Sequence, residues 1–283
     1  MGTASFPYQL CAIDIDDTLI GLDREISLQN REAIADLRTR GCEVLLASGR
    51  RHENMLPFAN ELGLTGCLVS CQGARAQELS TGRVLHRAEV PRSVADGLVA
   101  EGVRRGFTVF VWLEKGIYAT EAGRWVDVYR HESGGDPVTI VDPGQLAGQD
   151  AEKIVWSGSP EKVAEAARGM RGSTPAGVHG MITNDWYLEF TASEATKAAA
   201  VAAVARDRGV PREAVLAFGD GNNDVPLLSW AGLGIAMPHG RESARKAAAR
   251  VGPPGNPETA LARAIRTLPG LASRGRLAAE AAG

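Results

Sequence analysis

The 283-residue sequence has few cysteines and little excess charge, and each shortage excludes a class of protein. Its cysteines, Cys11, Cys42, Cys67 and Cys71, include no close-spaced pair of the kind that holds structural zinc. They lie in or just after apolar, strand-like stretches, which indicates buried, reduced thiols in a cytosolic protein. A formal charge of −3 and a pI near 6.0 give no reason to expect a nucleic acid or a membrane surface as partner.

Long hydrophobic runs are also missing. No apolar run approaches the length of a membrane span, and the first ten residues lack the basic start and apolar core of a signal peptide. We therefore expect a soluble, cytoplasmic protein without a membrane or nucleic-acid partner. A chain of 283 residues can bury a substantial core in one large domain or two modest ones. The oligomeric state stays open at this point.

The most informative segment is an apolar run that stops on three carboxylates, at residues 8–20, YQLCAIDIDDTLI. The run predicts a buried strand. Asp14 and Asp16 are two positions apart, so an extended backbone places both on the same side, close enough to share one cation. The same letters also fit a solvated acidic loop in which Thr18 caps the following helix.

Strand-like and helix-like segments alternate on both sides of a different middle region. Helices are predicted from Ser27 to Gly41 and over 53–62, and strands over 42–47 and 67–69. This alternation predicts a parallel α/β sheet, in which ligands lie beyond the carboxyl ends of the strands. The alternation of helices and strands resumes with an alanine-rich helix over 196–209.

The middle region has hairpin-like strand pairs and separate helices, which predict an inserted α+β module. We expect a core domain from residues 1–82 and 191–283, and an inserted domain from residues 83–190. A buried strand over 215–218 and closing helices over 241–250 and 257–267 would complete the core.

A second acidic cluster follows the strand at 215–218, in the sequence GDGNND, which contains Asp220 and Asp224. Parallel strands place their carboxyl ends at one edge of a sheet, so this cluster is expected beside Asp14 and Asp16. Four carboxylates at one edge require a cation, and Mg²⁺ suits carboxylates together with a substrate phosphate.

Two further segments predict an anion site. Lys197 lies near the start of its helix, where its charge opposes the helix dipole, and this placement is explained if the lysine binds an anion. Ser48 and Gly49 offer a hydroxyl and a backbone amide at the end of a strand, which suits phosphate oxygens. The alternatives are an ordinary surface lysine and a simple turn.

Taken in order, the segments DIDDT, LLASGR, Lys197 and GDGNND resemble the four motifs of the haloacid dehalogenase superfamily of phosphatases. The position of the insert resembles the Cof-type subfamily. The resemblance covers essentially the whole chain and implies a Rossmann-like parallel-sheet core with an inserted α+β cap of the C2 type. Two positions depart from the family pattern: Asp17 stands where glycine is common, and Gln72 stands where asparagine is frequent.

The resemblance also implies roles for individual residues. Asp14 would be the nucleophile that forms an aspartyl-phosphate, and Asp16 would be the general acid and base. Mg²⁺ would be held by Asp14, the main-chain carbonyl of Asp16, and Asp220, with Asp224 in support. The phosphate-binding residues would be Ser48, Gly49, Lys197 and Asn223, with Asn223 hydrogen-bonding near the Mg²⁺ ligands.

These roles predict a Mg²⁺-dependent phosphatase that acts on small phosphorylated metabolites, with sugar phosphates as the leading class. The alternatives are a specialised relative, such as a mannosyl-3-phosphoglycerate or sucrose-phosphate phosphatase, a phosphomutase, and a non-catalytic ligand-binding protein on the same fold. Specificity would come from the inserted domain. Its substrate-facing candidates, each of which also fits a core or solvated strand position, are Trp112, Glu114, Tyr118, Asn184, Trp186 and Glu189.

Overall fold

A computed structural model describes residues 6–170 and 172–271 of the chain, and these divide into two compact units. Unit 1 contains the described residues up to His86 and from Thr196 onward, and unit 2 is Arg87–Ala195. Residues 1–5 and 272–283 of the predicted core domain lie outside the described residues. None of the helices in the described ranges combines the length and apolar character needed to cross a bilayer.

The strands are numbered along the chain. In the described residues they are β1 (Leu10–Ile13), β2 (Glu43–Ala47), β3 (Cys67–Ser70), β4 (Arg75–Glu78), β5 (Val84–Arg87), β6 (Thr108–Leu113), β7 (Gly116–Ala119), β8 (Val138–Ile140), β9 (Lys153–Ser157), β10 (Val178–Asn184), β11 (Tyr187–Ala192), β12 (Val215–Gly219), β13 (Leu233–Ala236) and β14 (Arg250–Val251).

The α-helices follow the same numbering. They are α1 (Leu28–Thr39), α2 (His52–Glu61), α3 (Arg92–Arg104), α4 (Arg124–Ser133), α5 (Pro160–Met170), α6 (Lys197–Asp207), α7 (Val225–Trp230), α8 (Glu242–Ala247) and α9 (Ala260–Arg266). The Ser27 side chain caps α1 by accepting from the Asn30 amide, as the sequence predicts.

The sheet of unit 1 has the strand order β14-β13-β12-β1-β2-β3-β4-β5. The pairs from β14 through β3 are parallel, and β4 then runs antiparallel to β3. The predicted parallel α/β sheet is therefore confirmed. Its central strands β12 and β1 are neighbours although they are far apart in sequence, which brings the two acidic segments to the same edge.

Alternate residues of these strands face two separate hydrophobic cores. Ile13 and Phe218 face one core, which α1, α2 and α9 complete. Ala12 and Ala217 face the opposite core, which α6, α7 and α8 complete. Because both faces are covered, the strands are apolar throughout, as is typical of parallel sheets. All four cysteines are buried and free of disulfides, which agrees with the predicted reduced thiols.

Unit 2 is an α+β structure with a six-stranded sheet in the order β10-β11-β9-β6-β7-β8. Its pairs are antiparallel except for the parallel pair of β7 and β8. Helices α3 and α5 cover one face, through residues such as Leu98 and Val163. On the other face the ring of Tyr129, from α4, lies 5.3 Å from that of Phe110 and 5.5 Å from that of Trp112.

The structure corrects the sequence interpretation near the end of unit 1. The helix predicted over 241–250 was too long: α8 ends at Ala247, and Arg250–Val251 form β14 beside β13. Residues 257–259 form a 3-10 turn before α9. Helix α7 was not predicted, because its six residues are too few to show a helical period.

Candidate active site

The carboxyl ends of four adjacent strands bring the candidate site residues together. Strands β12, β1, β2 and β3 are neighbours in the sheet and parallel to one another. Asp14 directly follows β1, Asp220 follows β12, Ser48 follows β2, and Cys71 follows β3. Parallel α/β sheets bind ligands at this edge because the loops there lie side by side.

Asp14 and Lys197 are in direct contact. Asp14 continues the alternation that directs Ala12 toward the core of α6, and Lys197 begins that helix. The Lys197 Nζ atom lies 2.5 Å from Asp14 Oδ1 and 2.6 Å from Asp224 Oδ1. All three side chains are buried. The lysine at the helix start is therefore held by two carboxylates, which outweigh the unfavourable helix dipole.

Asp224 organises the loop that carries Asp220. Its Oδ2 atom accepts hydrogen bonds from the backbone amides of Asp220 and Gly221, both at 2.9 Å. Gly219 leaves room for this arrangement, since a Cβ there would lie 2.4 Å from the Asp224 carboxyl carbon. Thr18 in turn donates to Asp220 Oδ1 at 3.2 Å, which links the two acidic loops.

Three carboxylates, those of Asp14, Asp220 and Asp224, form what we call the acidic cluster. One oxygen from each lies within 4.8 Å of the others. Burial raises the pKa of Asp14 well above its usual range; Asp224 raises it further, and Lys197 opposes both. Burial and the carboxylates of Asp224 and Asp17 raise the pKa of Asp220 to about 6.

Lys197 stays charged in this setting. Burial by itself lowers the pKa of Lys197, but the carboxylates of Asp14 and Asp224 outweigh burial and hold that pKa above its usual value. One ammonium cannot neutralise three ionised carboxylates. The excess negative charge and the spacing of the oxygens fit a hard divalent cation such as Mg²⁺, which prefers carboxylate oxygens.

Asp16 is separate from the acidic cluster in this structure. Its carboxylate is exposed and accepts two hydrogen bonds from the Arg50 guanidinium, at 2.9 and 2.6 Å. Arg50 also lies over the ring of Phe58, 5.2 Å from the centroid. Both carboxylate oxygens of Asp16 are therefore occupied, and the sequence interpretation gave no indication of this pair.

Ser48 and Gly49 lie in the turn after β2. The Ser48 side chain is buried, and its Oγ accepts from the Arg50 amide at 3.2 Å, which leaves its hydroxyl proton for another acceptor. A Cβ on Gly49 would lie 2.5 Å from Gln72 Nε2, so the glycine permits close approach of the turn after β3. The backbone amide of Gln72 donates to the Ser48 carbonyl.

The turn after β3 connects the other site segments, and the sequence interpretation underestimated it. Cys71, Gln72 and Gly73 all have positive φ, at 49°, 62° and 101°. Gln72 Oε1 accepts from Asn223 Nδ2 at 2.9 Å. Three consecutive left-handed residues, two of them not glycine, are costly, which indicates a turn held by its surroundings. The glycine in CQGA was the available signal.

The predicted substrate-facing residues of unit 2 are in different environments. Trp112 is buried beside Tyr129, and the Lys153 ammonium lies 4.4 Å from its ring centroid. Glu189 is also buried; it accepts from Thr183 at 2.9 Å and from Lys153 at 3.4 Å. These two residues are thus part of the packed sheet face.

The remaining candidates of unit 2 are partly or fully exposed. Glu114 is exposed and pairs with Arg87 at 3.2 Å. Tyr118 is half-buried and packs against the core of α3 and α5. Asn184 accepts from the Trp186 amide at 3.1 Å in the turn between β10 and β11, and the Trp186 side chain is half-buried. Their role toward a substrate stays a prediction.

Comparison with known proteins agrees with this arrangement. The haloacid dehalogenase-like hydrolase family model matches residues 11–265. The chain belongs to this family of hydrolases, and the predicted resemblance to its Cof-type phosphatases is confirmed. The fold agrees too: a haloacid dehalogenase-like hydrolase from Bacteroides thetaiotaomicron superposes with a TM-score of 0.82 at 24% identity, covering 92% of this chain and 99% of that one.

Two curated relatives carry more specific names. The chain is 28% identical over 254 residues to the 5-amino-6-(5-phospho-D-ribitylamino)uracil phosphatase YitU of Bacillus subtilis, covering 86% of this chain and 91% of the relative. It is 24% identical over 231 residues to the HMP-PP phosphatase of Serratia proteamaculans, covering 81% and 84%. Both relatives are named as phosphatases.

Proposed function

We propose that the protein is a Mg²⁺-dependent phosphatase that hydrolyses small phosphorylated metabolites, with sugar phosphates as the leading substrate class. The contact between Asp14 and Lys197 carries the proposal, because it pairs a nucleophile with a cation at the carboxyl edge of a parallel sheet. Membership of a hydrolase family supports it. Phosphoryl transfer depends mainly on alignment and charge neutralisation, and this site offers both.

Asp14 attacks phosphorus in the proposed reaction. Its Oδ1 atom is engaged by Lys197, whereas its Oδ2 accepts no hydrogen bond within residues 6–170 and 172–271, so Oδ2 is the proposed attacking atom. The attack forms an O–P bond to Asp14 and breaks the P–O bond to the substrate alcohol. Water then attacks phosphorus, restores the Asp14 carboxylate and releases inorganic phosphate.

Lys197 holds the transferring group. An ammonium has three donors, and two of them are used by Asp14 and Asp224. The third is proposed to bind an equatorial phosphoryl oxygen. The hydroxyl of Ser48 and the amide of Gly49 would bind the others, since Ser48 Oγ already accepts from a backbone amide and retains its proton as a donor.

Asp16 is the proposed general acid and base. It would protonate the departing alkoxide and later remove a proton from the attacking water. Both oxygens of Asp16 are engaged by Arg50, so Asp16 is proposed to release the guanidinium before it transfers a proton. This requirement makes the pair of Asp16 and Arg50 part of the proposed cycle.

The acidic cluster is the proposed Mg²⁺ site. Asp14 and Asp220 would be ligands with the main-chain carbonyl of Asp16, and Asp224 would support them. When bound, Mg²⁺ neutralises charge that develops on the phosphoryl oxygens. Asn223, held by Gln72, would keep the loop of Asp220 in register.

The substrate class is proposed on the strength of the Bacillus subtilis relative, whose name places the phosphate on a ribityl group. The test is phosphate release by the full chain with Mg²⁺ from sugar phosphates, nucleotides, pyridoxal phosphate and flavin mononucleotide. We expect turnover to be highest with one sugar or sugar-alcohol phosphate. The Asp14→Asn variant should release no phosphate, while Asp23→Asn, in an exposed turn, should match the unchanged protein.

The outcomes separate the alternatives. No phosphate from any compound would overturn the proposal and favour a ligand-binding protein. Full turnover by Asp14→Asn would overturn the proposed nucleophile and the aspartyl-phosphate mechanism. A phosphoryl group that moves to a second hydroxyl without release of phosphate would identify a mutase. Turnover confined to a single glycosyl phosphate would identify a specialised phosphatase.

A further inference from the structure

Unit 2 contains a cavity of its own, with a volume of about 710 Å³. Helix α4 and the turn between β10 and β11 form its walls. The residues that matter here are Arg124, Trp125, Val128, His131, Glu132 and Trp186. Pockets that bind drug-sized or cofactor-sized ligands commonly range from roughly 300 to 1,000 Å³, so the volume suits one small organic molecule.

Helix α4 presents two different faces. Val126 is buried, and Tyr129 packs against the sheet and donates to Asp136 at 2.7 Å, so these residues anchor the helix. Arg124, Val128 and His131 lie on the other face, at the spacing of successive helical turns. This outer face is not needed to attach the helix to its sheet.

Both half-buried tryptophans of unit 2 line the cavity. Trp112 and Trp156 are buried in the core, whereas Trp125 and Trp186 keep part of their indole surface exposed. An indole left accessible on a cavity wall is a large apolar surface in contact with water. Two of them on one cavity provide flat surfaces for a ligand.

The indole of Trp186 is held in a fixed orientation. Its Nε1 donates to the Glu132 carboxylate, at 3.1 and 3.3 Å to the two oxygens. Its backbone amide donates to Asn184 Oδ1, which fixes the turn. The Arg124 guanidinium lies 4.9 Å from the ring centroid of Trp125. The orientation of Trp186 is therefore fixed by a contact across the cavity with Glu132 of α4, and Arg124 packs on its neighbour Trp125 within α4.

We propose that this cavity binds a compound with a planar heteroaromatic ring, which stacks on the indoles of Trp125 and Trp186. A polyol or sugar would need many directional hydrogen bonds, yet the charged groups of the lining have other contacts. Glu132 accepts from Trp186, Arg124 lies on Trp125, and Asp127 is 4.0 Å from Arg130. A flat ring instead matches indole and guanidinium planes, which stack with one another and with heterocycles. This inference goes beyond the proposed phosphatase and needs no turnover.

The test is isothermal titration calorimetry of the full chain with two matched pairs of probes: riboflavin against ribitol, and uridine against ribose. Each pair shares a polyol or sugar and differs in the ring. None of the probes carries phosphate, so catalysis plays no part. We expect at least one ring compound to bind about tenfold or more tightly than its partner without a ring, in line with stacking on aromatic side chains.

Variants of the cavity locate the binding. Trp125→Leu and Trp186→Leu should each weaken binding of the ring compound by about tenfold. Val128→Phe places a larger side chain from α4 in the cavity while both indoles remain, and it should weaken binding by about tenfold or more. Trp230→Leu makes the same change at a half-buried tryptophan of unit 1 and should leave binding unchanged.

Circular dichroism and thermal unfolding establish that each variant is folded; if a tryptophan variant is not, Val128→Phe against Val128→Ala decides. Equal binding of ring and ringless probes would overturn the proposal, as would no measurable binding of either ring compound. Unchanged affinity in Val128→Phe would overturn it as well. Binding of riboflavin without any phosphatase activity would support this site and reject the proposed function alone.

Discussion

Gly73 lies against the backbone of Thr196, which caps the helix that begins with Lys197. A Cβ on Gly73 would lie 2.3 Å from the carbonyl carbon and oxygen of Thr196 and 2.7 Å from the amide nitrogen of Lys197. Backbone atoms cannot move aside as a flexible side chain can. The turn after β3 therefore sets the position of Lys197, and through it the distance from Lys197 to Asp14.

Gly73→Ala should destabilise the protein by at least about 3 kcal/mol, because it adds a backbone clash to a φ of 101°. It should also lower phosphate release, since α6 must shift. The control is Gly209→Ala, with φ of 65° and no atom within 4 Å of the added Cβ, which should cost only about 1 kcal/mol. Urea unfolding measures both. Equal losses would show that the Gly73 contact is unimportant.

Two variants at Gln72 distinguish the cost of its backbone strain from the contribution of its side-chain hydrogen bond. Gln72→Ala and Gln72→Gly both remove the bond from Asn223, but only glycine relieves the φ of 62°. We expect the glycine variant to be more stable than the alanine variant by about 1 kcal/mol. Phosphate release should fall five- to tenfold in both, at about 1 kcal/mol for the lost bond. Full phosphate release by the Gln72→Gly variant would show that the Gln72 side chain does not contribute to the site.

Lys197→Met should be strongly destabilising. It leaves the buried carboxylates of Asp14 and Asp224 without their ammonium, and breaking a buried pair costs about 3–5 kcal/mol. Arg31→Ala, which breaks the exposed pair with Glu61, should cost at most about 1 kcal/mol. Urea unfolding in the presence of a chelator makes the comparison, and a similar small loss in both variants would contradict it.

Mg²⁺ should raise the thermal midpoint of the protein, because the proposed Mg²⁺ site, the acidic cluster, is assembled only in the folded state. Asp220→Asn should abolish the rise. Asp16→Asn should keep it, since the proposed ligand there is the main-chain carbonyl and the side chain lies on Arg50. Differential scanning fluorimetry with and without Mg²⁺ tests this. A shift retained in Asp220→Asn would place the ion elsewhere.

The lowered pKa of Glu78 predicts that the protein loses stability in acid. Hydrogen bonds from Arg83, Thr81 and Arg208 lower the pKa of Glu78 from 4.5 to about 2. A carboxyl with a depressed pKa in the folded state contributes stability above its unfolded pKa and loses it as the pH falls through the folded pKa. The stability difference between unchanged protein and Glu78→Gln should be constant above about pH 5 and shrink between 4.5 and 2. A difference that persists at pH 2 would contradict this.

The sequence was most informative where a pattern is local. Continuous apolar runs identified both β1 and β12, which are buried throughout, and the acidic residues at their ends. The side-chain periods of strands and helices, two and 3.6 residues, are visible among nearby positions of the sequence, so regular elements could be predicted. Short elements were not predicted correctly. Strand β14, for example, has only two residues and forms through its pairing with β13.

Contacts between distant segments could not be predicted from the sequence. The pair of Asp16 and Arg50 joins the turns after β1 and β2, and Asn223 meets Gln72 across the site. The environments of Trp112 and Trp186 were equally hidden, because alternation does not say which face of a sheet is covered. Each depends on which side chains packing brings within hydrogen-bond distance.

By itself the sequence determined that carboxylates end two buried strands of a parallel sheet and that a lysine begins a later helix. The tertiary structure alone decided that Lys197 lies between Asp14 and Asp224 and that Gly73 supports it. The reason is physical: strand periodicity is a property of adjacent residues, whereas the distance between two charges is set by the packing of helix on sheet.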